Sequence, residues 1–163
     1  MTTDSTASAR GKASRRKGHD TERMLARYLR QWWPLAKRKA DNGWRRGPVA
    51  SADQGDIAGT PGIVWQAKYV ARLNVTTTMT QATAQAVAAG ADYAVVVERR
   101  RGRADPGAWW AWVTLVDLAQ LLAPVHQVPP RLGGHLSTTL VRLELHRLVE
   151  LLRLSGYGEQ PGN

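Results

Sequence analysis

The chain has no cysteine and no phenylalanine, only two isoleucines, and 13 acidic residues against 23 basic ones. Each shortage excludes something. Without cysteine there are no disulfides and no thiolate metal centres, and a reducing cytoplasm is the natural setting. No stretch approaches the ~20 continuous apolar residues that span a bilayer, and the N-terminus lacks the charged-then-apolar pattern of a signal peptide. A soluble cytoplasmic protein with no membrane partner is therefore expected. Arginine outnumbers lysine 18 to 5, a bias of the kind that GC-rich coding produces in actinobacterial or phage genomes. It carries no mechanism of its own.

What is present is positive charge. The net charge is +10, and such an excess points to a polyanionic partner. The charge is clustered: five basic residues lie in 10–17, five in 37–46 and four in 99–103. Solvated surfaces usually intersperse both signs, so nucleic acid is the expected partner. The basic blocks are not laid on amphipathic helices, as a membrane-surface reading requires.

The 163 residues suit one domain with a real core. Residues 1–17 are Ser/Thr/Ala-rich and then basic, which predicts a disordered basic arm. One folded domain is expected over 18–155, with a flexible tail at 156–163. A helix is predicted from about 20 to 33, with Leu25, Tyr28, Leu29 and Trp32 on one face and Pro34 ending it. Residues 36–40 predict a short strand and 41–55 a loop. Asp56-Ile57-Ala58, a turn at Gly59-Thr60-Pro61-Gly62 and a strand at 63–70 predict a hairpin. A helix at 75–89 ended by Gly90, strands at 92–98 and 109–115, a helix at 116–122, a Pro/Gly loop at 123–134 and a last helix at 137–154 complete the series. This order predicts an α/β domain with a mixed central sheet flanked by helices.

One constellation carries chemistry. Side chains two apart in a strand share a face, so Gln66 and Lys68 point the same way. A hairpin brings Asp56 beside them. An Asp56 carboxylate, a Gln66 amide oxygen and the Ala67 backbone carbonyl are the oxygen ligands that Mg²⁺ prefers. Such a cation polarises a phosphoryl group and acidifies water, while Lys68 can orient the water or stabilise the transition state. Glu22, in the first turn of the predicted first helix, is the fourth member if its face packs on the sheet. Taken singly, each residue has a plainer explanation: helix-dipole matching for Glu22, turn chemistry for Asp56, a solvated strand face for Lys68. Asp53, three residues before Asp56, is an alternative ligand.

The run Lys17-Gly18-His19-Asp20-Thr21-Glu22-Arg23, then Gly55-Asp56-Ile57, then Gln66-Ala67-Lys68 resembles the archaeal-type Holliday junction resolvases of the PD-(D/E)XK nuclease superfamily, over roughly residues 15–120. The resemblance implies a restriction-endonuclease-like fold and a structure-selective DNA endonuclease, using Mg²⁺ with Mn²⁺ as a substitute and working on four-way junctions as a homodimer. It places the metal on Glu22, Asp56, Gln66 and the Ala67 carbonyl, with Lys68 assisting. The family usually has Glu where this chain has Gln66. That change keeps an oxygen donor but removes a charge, and it favours a binding protein without cleavage. Another repair or restriction-like nuclease of the same superfamily is the nearer alternative, and an RNA-binding protein fits the charge alone.

Arg15, Arg16, Lys17, Arg23, Arg45 and Arg46 are the candidate phosphate contacts. Trp44 is either a stacking residue or core, and Trp109, Trp110 and Trp112 straddle two faces of one strand. The Leu-rich last helix and the outward tryptophans are either a dimer interface or a cover for the sheet. The four histidines lack metal-ligand spacing.

Overall fold

The computed structural model describes residues 4–39, 55–123 and 138–159, with side chains from residue 15 onward. Asp53, Trp44, Arg45, Arg46, His126 and His135 lie outside the described residues. Helix α1 spans Asp4–Leu29, and it is followed by strands β1 (Lys37–Arg38), β2 (Ile57–Ala58) and β3 (Ile63–Lys68). Helix α2 (Val75–Ala89), β4 (Tyr93–Glu98), a 3-10 turn (Pro106–Ala108), β5 (Trp110–Thr114), α3 (Leu115–Leu122), β6 (Leu140–Glu144) and α4 (Leu145–Leu154) complete the order. The fold is mixed α/β. Among the described residues, β3-β4-β5-β6 form one sheet and β1-β2 a second. β3 and β4 are parallel, joined through α2; β4-β5 and β5-β6 are antiparallel.

Two apolar faces hold this sheet in place. Odd-numbered residues of β3, Trp65 and Ala67, point with Val95, Val97, Ala111 and Val113 towards Leu25 and Leu29 of α1 and Leu145, Leu148 and Leu152 of α4. Val64, Ala94 and Val96 on the other face pack against Met79, Ala82 and Ala86 of α2. Each fully buried Leu or Val contributes about 1.5–3 kcal/mol, so α1 is fixed to the sheet through the face that carries Leu25 and Leu29. Helix α2 begins at Asn74, whose side chain accepts from Thr77 N, and ends at left-handed Gly90. Both boundaries follow from local chemistry.

Three expectations are corrected. α1 starts at Asp4, not near 20, so residues 4–17 of the expected arm are helical; the segment has several Ala, Arg and Lys residues and no proline, which suits a helix. β2 does not form a hairpin with β3. It pairs antiparallel with β1 through Lys37↔Ala58 and Arg38↔Ile57, and meets β3 only at a parallel Gly55↔Trp65 bridge. The expected last helix is split, since residues 140–144 pair with β5 before α4 begins. Val141 favours a strand, and β5 offers an open edge. The α4 leucines then cover the sheet from inside the core.

Residues 156–159, expected to be part of a flexible tail, return to the turn after α1 and to the start of β4: Glu159 N donates to Trp32 O at 2.6 Å, and Tyr157 Oη donates to Asp92 at 2.7 Å. Residues 160–163 lie outside the description. No helix among the described residues is long and apolar enough to cross a membrane.

Candidate active site

The site is built on the last residues of β3. Lys68 O accepts from Arg99 N at 2.9 Å on the β4 side, while Trp65 O accepts from Asp56 N at 2.8 Å on the other. In a parallel ladder successive residues turn their backbone groups to opposite edges. Ala67 therefore presents its N–H and its carbonyl to the Asp56 edge. The Ala67 N–H donates to Asp56 Oδ2 at 2.7 Å. Asp56 is held there by its neighbour: Gly55 has φ 79° and an added Cβ would lie 2.5 Å from Trp65 O. Only glycine permits that backbone to approach β3 so closely.

Gln66 and Lys68 project from the adjoining face, towards α2. Gln66 is only 6% exposed, and its Nε2 donates to Gln85 Oε1 at 2.5 Å. The bond directs the amide nitrogen to α2 and turns the Gln66 carbonyl oxygen away from Gln85. Lys68 is half-buried, and among the described residues its ammonium has no hydrogen-bond or ion-pair partner. Asp56 and the pair Gln66/Lys68 thus approach the same three residues from the sheet edge and from the sheet face.

Glu22 is placed differently. Its Oε2 accepts from Arg38 Nε at 2.5 Å, with side-chain exposures of 17% and 22%. Arg38 is on β1, paired with Ile57, one residue from Asp56. Glu22 therefore stands beside the strand pair that delivers Asp56, and its carboxylate is occupied by a guanidinium. The preceding residue, Thr21, is fully buried; its hydroxyl lies 3.4 Å from Arg99 Nη1 and donates to Lys17 O at 3.0 Å. Arg99 follows β4, so the Glu22 turn of α1 lies near the C-terminal end of the parallel pair β3-β4. Crevices at the C-terminal ends of parallel strands are where open α/β sheets bind ligands.

The surroundings are positive. Arg23 is paired with Asp20. The Arg23 hydrogen bond, with Arg16 and Arg99 close by, holds the Asp20 carboxyl below its usual range. Arg15, Arg16 and Lys17 are exposed on the same helix. Arg99 also stacks 4.8 Å from Tyr69 and 5.4 Å from Trp109, so the Arg-rich turn is partly structural.

Among the described residues no group of three or more His, Asp and Glu side chains gathers as a metal centre. The oxygen donors in reach of β3 are instead of mixed type: the Asp56 carboxylate, the Ala67 carbonyl on the same edge and the Gln66 amide oxygen. All are hard donors suited to Mg²⁺ or Mn²⁺, and the shared edge of Asp56 and Ala67 fits such an ion. Glu22 joins them only if Arg38 releases it.

Residue spacing placed Gln66 and Lys68 on one face, as found. It did not yield Gln85 as the partner of Gln66, although its position between Ala82 and Ala86 puts it near the buried face of α2. Arg38 as the partner of Glu22 had no local signal. Compared with family models, curated proteins and solved structures, the chain gives no match.

Proposed function

We propose that this protein is a metal-dependent DNA endonuclease of the PD-(D/E)XK type, with a restriction-endonuclease-like arrangement, that cleaves phosphodiesters in branched DNA such as four-way junctions. The observation that carries the reading is the Asp56 carboxylate on the Ala67 N–H at the β3 edge, with Gln66 and Lys68 on the adjoining face. Asp56, Gln66 and the Ala67 carbonyl would hold Mg²⁺ or Mn²⁺, and Glu22 would complete the set. When bound, such an ion supplies positive charge to the phosphoryl oxygens and acidifies a water. Lys68, with no competing partner among the described residues, donates hydrogen bonds to the attacking water or to the phosphoryl oxygens on which negative charge develops. Gln85 fixes the Gln66 amide. Arg15, Arg16, Lys17 and Arg23 grip flanking phosphates. The two nicks needed to resolve a junction suit a homodimer, and the cysteine-free composition suits a reducing cytoplasm.

A second reading, DNA binding without cleavage, is favoured by Gln66 in place of an acid and by the Glu22–Arg38 pair. One experiment separates the two. Labelled four-way junction, linear duplex and single strand are incubated with Mg²⁺, Mn²⁺ or EDTA, beside a Lys68→Ala variant. Metal-dependent paired nicks in the junction, lost in the variant, support the resolvase reading. Cleavage of linear duplex at the same rate moves the assignment to another nuclease of this type. Tight binding with no product under any metal removes the enzyme claim.

A further inference from the structure

The α2-side face of the sheet does not stop at Gln66 and Lys68. Cross-strand partners share a face, and the pairs Gln66↔Val96, Val96↔Trp112 and Trp112↔Arg142 form one row. Lys68↔Glu98, Glu98↔Trp110 and Trp110↔Glu144 form the next. Helix α2 packs mainly on β3 and β4, so the β5-β6 half of this face carries half-exposed Trp110 and Trp112.

On that half an arginine–tryptophan ladder stands. Arg100 lies 4.0 Å and Arg142 4.4 Å from the centroid of the Trp110 ring, and Arg142 also lies 5.3 Å from that of Trp112. Both guanidiniums thus lie against the same Trp110 indole. Arg100 is further tied to the Ala108 carbonyl and to Glu144, and Trp112 Nε1 donates to Glu98. The acids of the patch are thereby engaged. Arg142 is different: it is exposed, and among the described residues its guanidinium makes ring contacts alone.

We propose that Arg142, held on the Trp110/Trp112 ladder, is a phosphate-binding site that carries a DNA strand away from the candidate active site; this deepens the nuclease reading and rests on it. An exposed arginine normally loses side-chain freedom when it grips a phosphate. Here the indoles have already fixed the plane, and the five N–H donors remain for a bidentate phosphate contact. Three strand spacings separate Arg142 from Gln66, roughly 14 Å, or about four nucleotides of one duplex strand. Because guanidiniums stack on the Trp110 ring, the ladder binds phosphates and does not stack bases, so its contribution is independent of sequence.

The test measures binding of a labelled duplex and a four-way junction in EDTA, across a salt series, for the wild type, Arg142→Gln, Arg142→Lys and Arg147→Gln. Arg147 is an exposed arginine on α4, paired with Glu150, and it controls for net charge. Arg142→Gln is expected to bind about ten-fold more weakly at low salt, with the slope of log K against log salt shallower by about 0.9. Arg142→Lys keeps the slope but loses affinity a few-fold, since it keeps charge without the fork. Arg147→Gln changes neither. Equal melting temperatures confirm that the variants fold. A wild type that binds DNA beside an Arg142→Gln variant of unchanged slope overturns the ladder and leaves the nuclease reading standing. A change of oligomeric state with unchanged DNA binding overturns it in favour of a second copy. A wild type that binds no DNA overturns both.

Discussion

Replacing Gln66 with glutamate asks whether the buried amide stands at a cation site. The side chain is 6% exposed and faces Gln85 Oε1 at 2.5 Å. Gln66→Glu removes the donor from that bond, but Gln85 can turn its own amide and donate instead. What remains is the burial of a carboxylate, which raises its pKa. Each unit of that shift corresponds to about 1.4 kcal/mol at neutral pH. The sign follows from proton counting. A carboxyl with a raised folded-state pKa holds more protons folded than unfolded once pH exceeds about 4.3, so stability falls as pH rises from there to the folded pKa. The variant should match the wild type best near that lower limit. At neutral pH it should lose about 1–3 kcal/mol, roughly 2–12 °C of melting temperature for a chain of this size. A divalent ion reverses the loss if Asp56 and the Ala67 carbonyl join the new carboxylate in holding it; at a hundred times its Kd the ion restores about 2.7 kcal/mol. The assay is thermal melting of both proteins at acid and neutral pH, with Mg²⁺, Mn²⁺ or EDTA. A variant whose melting temperature ignores both pH and metal refutes the reasoning, because a buried carboxylate at a cation site must respond to each.

Arg38→Gln frees the Glu22 carboxylate. It should tighten Mn²⁺ binding several-fold by calorimetry, and unchanged affinity would remove Glu22 from the ligand set. Gly55→Ala should cost about 2 kcal/mol or more, read from the denaturant midpoint, because the new Cβ meets Trp65 O at 2.5 Å. A neutral result would show that Asp56 is not held by that approach. Burial pushes the Asp117 carboxyl up, against the Thr114 hydrogen bonds that lower it. Ionising it therefore weakens the fold as pH rises, and Asp117→Asn should gain melting temperature at neutral pH relative to acid pH. A gain equal at both would argue against desolvation as the cause.

The sequence was most legible where chemistry is local. α2 carried its own start signal at Asn74 and its own stop at Gly90, and the structure uses both. Gln66 and Lys68 were paired by strand periodicity alone. The stretch LVRLELHRLVELL was misread because its leucines satisfy helical spacing throughout, while its first residues also suit a strand. β5 decides between them, and the helical reading did not anticipate that pairing. The Glu22–Arg38 contact joins residues 16 apart, and it depends on β1 pairing with β2 instead of β2 with β3. The resulting difference is chemical: a carboxylate expected to face a metal ion faces an arginine.

The return of residues 156–159 to the turn after α1 constrains how the protein is made. Trp32 O accepts from Glu159 N, and Tyr157 N donates to Leu152 O at the end of α4. α1 emerges from the ribosome early, but the residues that close over its end are synthesised much later. Until then the nascent chain lacks the contacts that close the turn after α1, a window in which chaperones or proteases can act.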